Sequence, residues 1–153
     1  MANTYTQIYM HVVFAVSARA CVIRPERKEE LQKYMAGIVS GQEQKLIAVH
    51  CMPDHTHILL GMKPDMALST VVGKIKSGST NHINEQRWLP CRFSWQEGFG
   101  GFSVSHSHVP RVAFYIANQE RHHRGRTFQR EYREFLERHQ IPHEERFIFT
   151  PLE

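Results

Sequence analysis

The chain has 153 residues, enough for one domain with a real core and too few for two independent ones, so 1–153 reads as a single unit. Its 19 Lys+Arg against 15 Asp+Glu give a formal charge of +4, a modest basic excess that suits a polyanionic partner without requiring one. Cys21, Cys51 and Cys91 are odd in number and lack paired spacing, which argues against a disulfide framework or a zinc knuckle. The opening Met1-Ala2-Asn3-Thr4-Tyr5 lacks a signal pattern and no apolar run approaches about 18 residues, so a reducing cytoplasm and no membrane partner are expected.

Tyr5 to Val16 is rich in β-branched and aromatic residues and predicts the first strand. Leu31, Tyr34, Met35, Ile38 and Val39 fall on one helical stripe that Gly41 can end. Lys45–Cys51 and His55–Met62, joined by Met52-Pro53-Asp54, predict a hairpin. Leu68, Val71, Val72 and Ile75 set a second helix, with Lys74 and Lys76 off its apolar stripe. The Gly-punctuated stretch after Trp95-Gln96 reads as a loop entering a last strand that ends near Ser105. The order β-α-β-β-α-β is that of an α+β, ferredoxin-like antiparallel sheet. Ser107 can cap a third helix, with Pro110 in its first turn and Gly125 closing it, and a charged helix spans roughly Thr127 to His139.

On a strand, residues two apart share a face, so His55 and His57 direct both imidazoles into one space. On a helix, residues four apart are neighbours, so Tyr115 and Gln119 lie side by side. At about 100° per residue, Val109, Val112, Ala113, Ile116 and Ala117 form the apolar face, and Tyr115, Gln119, His108 and His122 fall well away from its centre. Two ring nitrogens and an amide oxygen around a divalent cation, with a tyrosine beside them, are the parts of a phosphate-attacking site. Hydrogen-bonded structural histidines and a surface tyrosine are the plainer alternative. Arg121, His122, Arg124 and Arg126, like Lys74 and Lys76, are candidate DNA contacts; interleaved Glu120, Glu131, Glu134 and Glu137 make a solvated helix face an equal reading there. No P-loop, dinucleotide fingerprint or Gly-x-Ser-x-Gly elbow is present, which leaves a nucleotide cofactor or serine hydrolysis without support.

Taken together, the opening strand, Pro53-Asp54-His55-Thr56-His57-Ile58-Leu59, the Lys-bearing helix, Trp95-Gln96 and Tyr115-Ile116-Ala117-Asn118-Gln119 resemble the single-tyrosine HUH transposases of small bacterial insertion sequences. The resemblance spans nearly the whole chain and includes relatives domesticated to handle repeated extragenic hairpins. It implies His55, His57 and Gln119 as ligands of Mg²⁺ or Mn²⁺, and Tyr115 as a nucleophile forming a 5′-phosphotyrosine. It further implies hairpin-bearing single-stranded DNA as substrate and a homodimer, the tyrosine helix of one chain often completing the other's site. Thr56 departs from the bulky apolar residue usual between the histidines, and its side chain is expected on the opposite sheet face. The base that takes the Tyr115 proton is unassigned, His122 being a guess. A non-catalytic ferredoxin-like nucleic-acid-binding module and a metal-dependent nuclease using water are the alternatives.

Overall fold

The computed structural model describes residues 3–18, 21–122 and 125–149, without the side chains of His122 and Phe147. Four strands, β1 (Ile8–Ala15), β2 (Lys45–Cys51), β3 (His55–Met62) and β4 (Gly100–Val104), form one antiparallel sheet in the order β2-β3-β1-β4. Helices α1 (Lys28–Gly41) and α2 (Leu68–Glu85) supply the two crossovers, completing the expected ferredoxin-like order. Three helices follow: α3 (Val109–Ala117), α4 (Gln119–His122) and α5 (Phe128–Arg138). No helix among the described residues is long and apolar enough to cross a membrane.

The pleat assigns each strand two faces. In the β1–β3 register Phe14 opposes Thr56 and Val12 opposes Ile58, and these residues are buried toward α1 and α2. There Phe14 meets Trp95 edge-on at 4.7 Å, and the Cys51 thiol on β2 lies 3.9 Å from Met35 on α1. Thr56 is thus on the sheet face opposite the histidines, as expected. The alternate set, His11, Val13 and Ala15 opposite Leu59, His57 and His55, faces the C-terminal helices. His55 stacks on Phe128 at 4.1 Å, and His11 meets Phe135 edge-on at 5.0 Å, so α5 closes this second face.

Between α2 and β4 the chain is held by hydrogen bonds. Asn84 brackets Phe93, its Oδ1 accepting from the Phe93 N–H at 2.8 Å and its Nδ2 donating to the Phe93 carbonyl at 3.1 Å. Gln96 N–H donates to the Ala15 carbonyl at 2.7 Å, extending the sheet edge past Val16. Gly98 adopts φ +82°, a conformation other residues resist, and a Cβ on Gly100 would lie 2.7 Å from Tyr132 Oη.

Several boundaries differ from the sequence expectations. β1 starts at Ile8 rather than Tyr5, whose ring is 92% exposed and has no sheet partner to order it. Ser107 lies inside a 3₁₀ turn, His106–His108, and gives no side-chain cap to the helix. The tyrosine helix does not run to Gly125: it ends at Ala117, where Asn118 turns out of helical geometry and both its N–H and its side-chain amide bond back to the Phe114 carbonyl. Cys21 and Cys91 are joined by a disulfide, contrary to the expectation from their spacing. The sequence separation of 70 hides the proximity, which arises only once the loops before α1 and after α2 pack together.

Candidate metal and tyrosine site

β3 begins immediately after the 52–54 turn, so its first and third residues, His55 and His57, project together beneath α5, both fully buried. Each ring has its Nδ1 edge occupied. Asp54 Oδ1 accepts from His55 Nδ1 at 2.6 Å, and His57 Nδ1 lies 2.8 Å from His11 Nε2. Ring nitrogens fixed in this way hold imidazoles in one orientation, as metal-binding histidines require. The two Nε2 edges turn inward toward one carboxylate. Glu131 Oε1 accepts from His57 Nε2 at 3.0 Å and lies 3.7 Å from His55 Nε2. The ligand atoms of His55, His57 and Glu131 lie within 4.8 Å of one another, all buried. Gln119 Oε1 is 3.4 Å from His55 Nε2, with the side chain fully buried.

Two imidazole nitrogens, a carboxylate oxygen and an amide oxygen suit a divalent cation of the Mg²⁺ or Mn²⁺ kind, which favours oxygen donors and tolerates imidazole. The carboxylate also fits on cost. A charged Glu enclosed at 1% exposure needs compensating positive charge or donors; Arg126, Tyr115 and His57 supply some, and a cation would add to them.

Tyr115 stands beside this group. Its hydroxyl donates to Glu131 Oε2 and accepts from Arg126 Nη2 at 2.7 Å, and Arg126 is in turn bound to Glu134. Burial, and next the Glu131 carboxylate, push the Tyr115 phenol well above its ordinary range, so it rests protonated. Burial and the adjacent His57 hold His11 well below the ordinary histidine range, leaving it a neutral partner for His57.

Of the residues singled out from sequence, the structure brings His55, His57, Gln119 and Tyr115 into one site. Gln119 arrives there by the break at Asn118: after it the chain starts α4, and Gln119 is carried inward rather than along the outer side of a continuous helix. α4 is pinned by Glu120, which binds Lys28 on α1 and accepts from His50 on β2 at 2.9 Å. Arg126 meets Tyr115 rather than solvent. Lys76 donates to the carbonyls of Gln96 and Gly98, each at 2.8 Å, whereas Lys74 and Arg121 are exposed. Arg124 and the His122 side chain lie outside the described residues.

Sequence reasoning missed Glu131, His11 and Asp54 as site residues. Glu131 had been grouped with a solvated face, yet it sits on the buried stripe Phe128, Glu131, Tyr132, Phe135 and Leu136. A lone carboxylate on an apolar helical stripe is the signal that could have found it. For His11 the signal is a histidine at an inward position of a central strand.

Comparison with known proteins places the chain in a family. The family model described as Transposase IS200 like matches residues 4–119. The transposase for insertion sequence element IS200 of Salmonella typhimurium is 26% identical over 86 residues, 56% of this chain and 57% of that protein. The chain therefore spans little more than half of that relative's length. The ISDra2 transposase TnpA of Deinococcus radiodurans is 24% identical over 120 residues, 74% of this chain and 84% of that one. In fold, the chain resembles a REP-associated tyrosine transposase solved bound to a REP hairpin, with a TM-score of 0.61 and 15% identity, covering 100% of this chain and 96% of that one. With the match covering more than half of its length, the chain belongs to the IS200-like transposase family.

Proposed function

We propose that the protein is a metal-dependent single-stranded DNA transposase that cleaves and rejoins strands at hairpin-marked ends through a 5′-phosphotyrosine. The observation that carries this is one buried cluster in which the Tyr115 hydroxyl and the His55 and His57 ring nitrogens meet the two oxygens of a single carboxylate, Glu131. Membership of a transposase family and the likeness to a protein solved on a hairpin support it.

His55, His57, Glu131 Oε1 and Gln119 would hold Mg²⁺ or Mn²⁺. When bound, the ion supplies Lewis-acid polarisation of the phosphoryl oxygens and offsets charge that builds on them. Tyr115 Oη attacks the phosphorus, and the bond to the 3′ oxygen breaks, leaving a free 3′-OH and a phosphotyrosine on the 5′ side. Glu131 Oε2 already accepts the phenolic hydrogen and takes that proton, and the departing 3′ oxygen takes its proton from solvent water. Arg126 Nη2, 2.7 Å from the same oxygen, steadies the developing phenolate. Because the ester bond energy is kept in the phosphotyrosine, rejoining is the reverse step and needs no nucleotide cofactor.

The exposed Lys74 and Arg121 are suited to track the DNA backbone, and His122 and Arg124 share their segment with Arg121. Lys76, engaged with carbonyls, would act mainly by shaping the loop, and Arg126 by meeting the phosphate through the tyrosine. A homodimer in the cytoplasm would hold two DNA ends at once.

The test is a denaturing gel. Protein incubated with labelled single-stranded hairpin DNA and Mn²⁺ should give a denaturant-resistant band that Tyr115→Phe loses while still binding DNA. Cleavage without the band would favour a water-attacking nuclease. Binding with neither would favour a recognition module.

A further inference from the structure

A cleft of about 630 Å³ opens beside Tyr115, between β4, α3 and α5. This lies within the rough 300–1,000 Å³ range of small-ligand sites. Its floor is made by His11 and Phe102, each 2% exposed, and Tyr115 lines it, so the cleft and the tyrosine site are continuous. Above the floor stand two exposed guanidiniums, Arg111 and Arg138, and no carboxylate lines the cleft among the described residues. Two acids of α5 are bound elsewhere: Glu131 and Glu134 to Arg126, and Glu134 also to Arg130. The remaining wall is aromatic. The His139 ring lies 4.8 Å from that of Phe102, and the Arg138 guanidinium sits 5.7 Å over Phe135. Arg138 and His139 lie beyond residues 4–119, so this wall is an addition to the part shared with the family model.

From this combination we infer that the cleft binds one unpaired nucleotide of the cleaved strand, adjacent to the scissile phosphate. Its base rests on the exposed His139 ring, which Phe102 backs from beneath, and its phosphate lies between Arg111 and Arg138. The inference rests on the transposase reading and gives it a substrate subsite. An aromatic surface next to unpaired cations is the combination that holds single strands, because every base has a face to stack and every nucleotide a charge to neutralise. A paired base, stacked inside a duplex, offers no free face to such a cleft. The subsite therefore selects a splayed strand at the position where Tyr115 needs one phosphate accessible.

The experiment uses the full chain carrying Tyr115→Phe, so that nothing is cut, and a 12-nucleotide oligothymidylate containing 5-iododeoxyuridine. Fluorescence anisotropy across a salt series reads affinity, and photocrosslinking with mass spectrometry reads contact. Arg111→Gln and Arg138→Gln should each raise Kd about tenfold at low salt and flatten the log Kd against log salt slope by roughly 0.7, the share of one phosphate on a single strand. Crosslinks should fall on the peptide containing His139. Arg133→Gln, whose parent arginine is paired with Glu145, should leave both readouts unchanged. Unaltered slopes in the Arg111 and Arg138 variants, with crosslinks confined to other peptides, would overturn the subsite. If the native protein still formed the phosphotyrosine band in that case, the transposase reading would stand without it. Failure to bind any single strand, with no band, would remove both.

Discussion

Replacing Glu131 by Gln tests the metal assignment most directly. The change keeps the shape of the side chain and removes the one formal negative charge among the four proposed ligands, His55, His57, Gln119 and Glu131. Loss of a group that merely orients a ligand typically weakens metal binding about 10- to 100-fold, so loss of the charged ligand itself should reach at least the upper end. The effect can be read as ligand-linked stability. At Mn²⁺ one hundred times its Kd, native protein gains about 2.7 kcal/mol, and a hundredfold weaker variant at the same concentration gains only about 0.4 kcal/mol. For a chain of this size those values are thermal shifts of about 5–11 °C and about 1–2 °C. Differential scanning fluorimetry with Mn²⁺ and with chelator measures both. The fold should survive, since Arg126 keeps its bond to Glu134 and an amide can still pair with Tyr115 and His57. An undiminished Mn²⁺ shift in Glu131→Gln would show that the carboxylate is no ligand. If His57→Ala also kept the shift, the whole histidine site would be refuted.

Other perturbations probe the frame around the site. Burial pushes the Cys51 thiol up to about 12, whereas an unfolded cysteine titrates near 9, so the folded state retains a proton that the unfolded state gives up. The associated stability is complete below pH 9 and is lost as pH rises toward 12; urea unfolding at pH 10 should show about 1.4 kcal/mol of loss from this source, absent from the pH 8 to 10 difference of Cys51→Ala. Lys76→Ala removes two bonds to the carbonyls of Gln96 and Gly98 and should cost about 2 kcal/mol in chemical denaturation. Lys74→Ala, on the exposed side of the same helix, should stay within about 0.5 kcal/mol of native. Equal costs for the two lysines would show that the carbonyl contacts do not hold the loop.

The sheet and its crossovers were legible because they depend on periods of two and near four, which survive in a single sequence. The register that places His57 opposite Val13 follows from the same alternation, since a shift by one residue would turn both histidines into the α1–α2 core. Gln119 was found for a partly mistaken reason. The spacing suggested two neighbours on an unbroken helix, but its approach to His55 depends on the break at Asn118, where short-range bonding to the Phe114 carbonyl replaces continued helix. The Cys21–Cys91 contact and the burial of Glu131 were illegible for a common cause. Each depends on how separate segments dock, and no local period encodes docking.

Glu131 joins two chemistries that the sequence motifs present as separate. One oxygen faces the histidines and the other receives the tyrosine hydroxyl, so anything that moves α5 alters the geometry of the proposed ligands and of the proposed nucleophile together. The matched family region ends at residue 119, and this helix begins at Phe128. The C-terminal segment therefore has a physical reason to be retained with the rest. Without it, the His55, His57 and Phe102 face of the sheet would lose its cover, and Tyr115 would lose both its hydrogen-bond acceptor and the arginine beside it. A helix whose apolar stripe carries a single buried carboxylate thus closes the core and arms the site with one side chain each way.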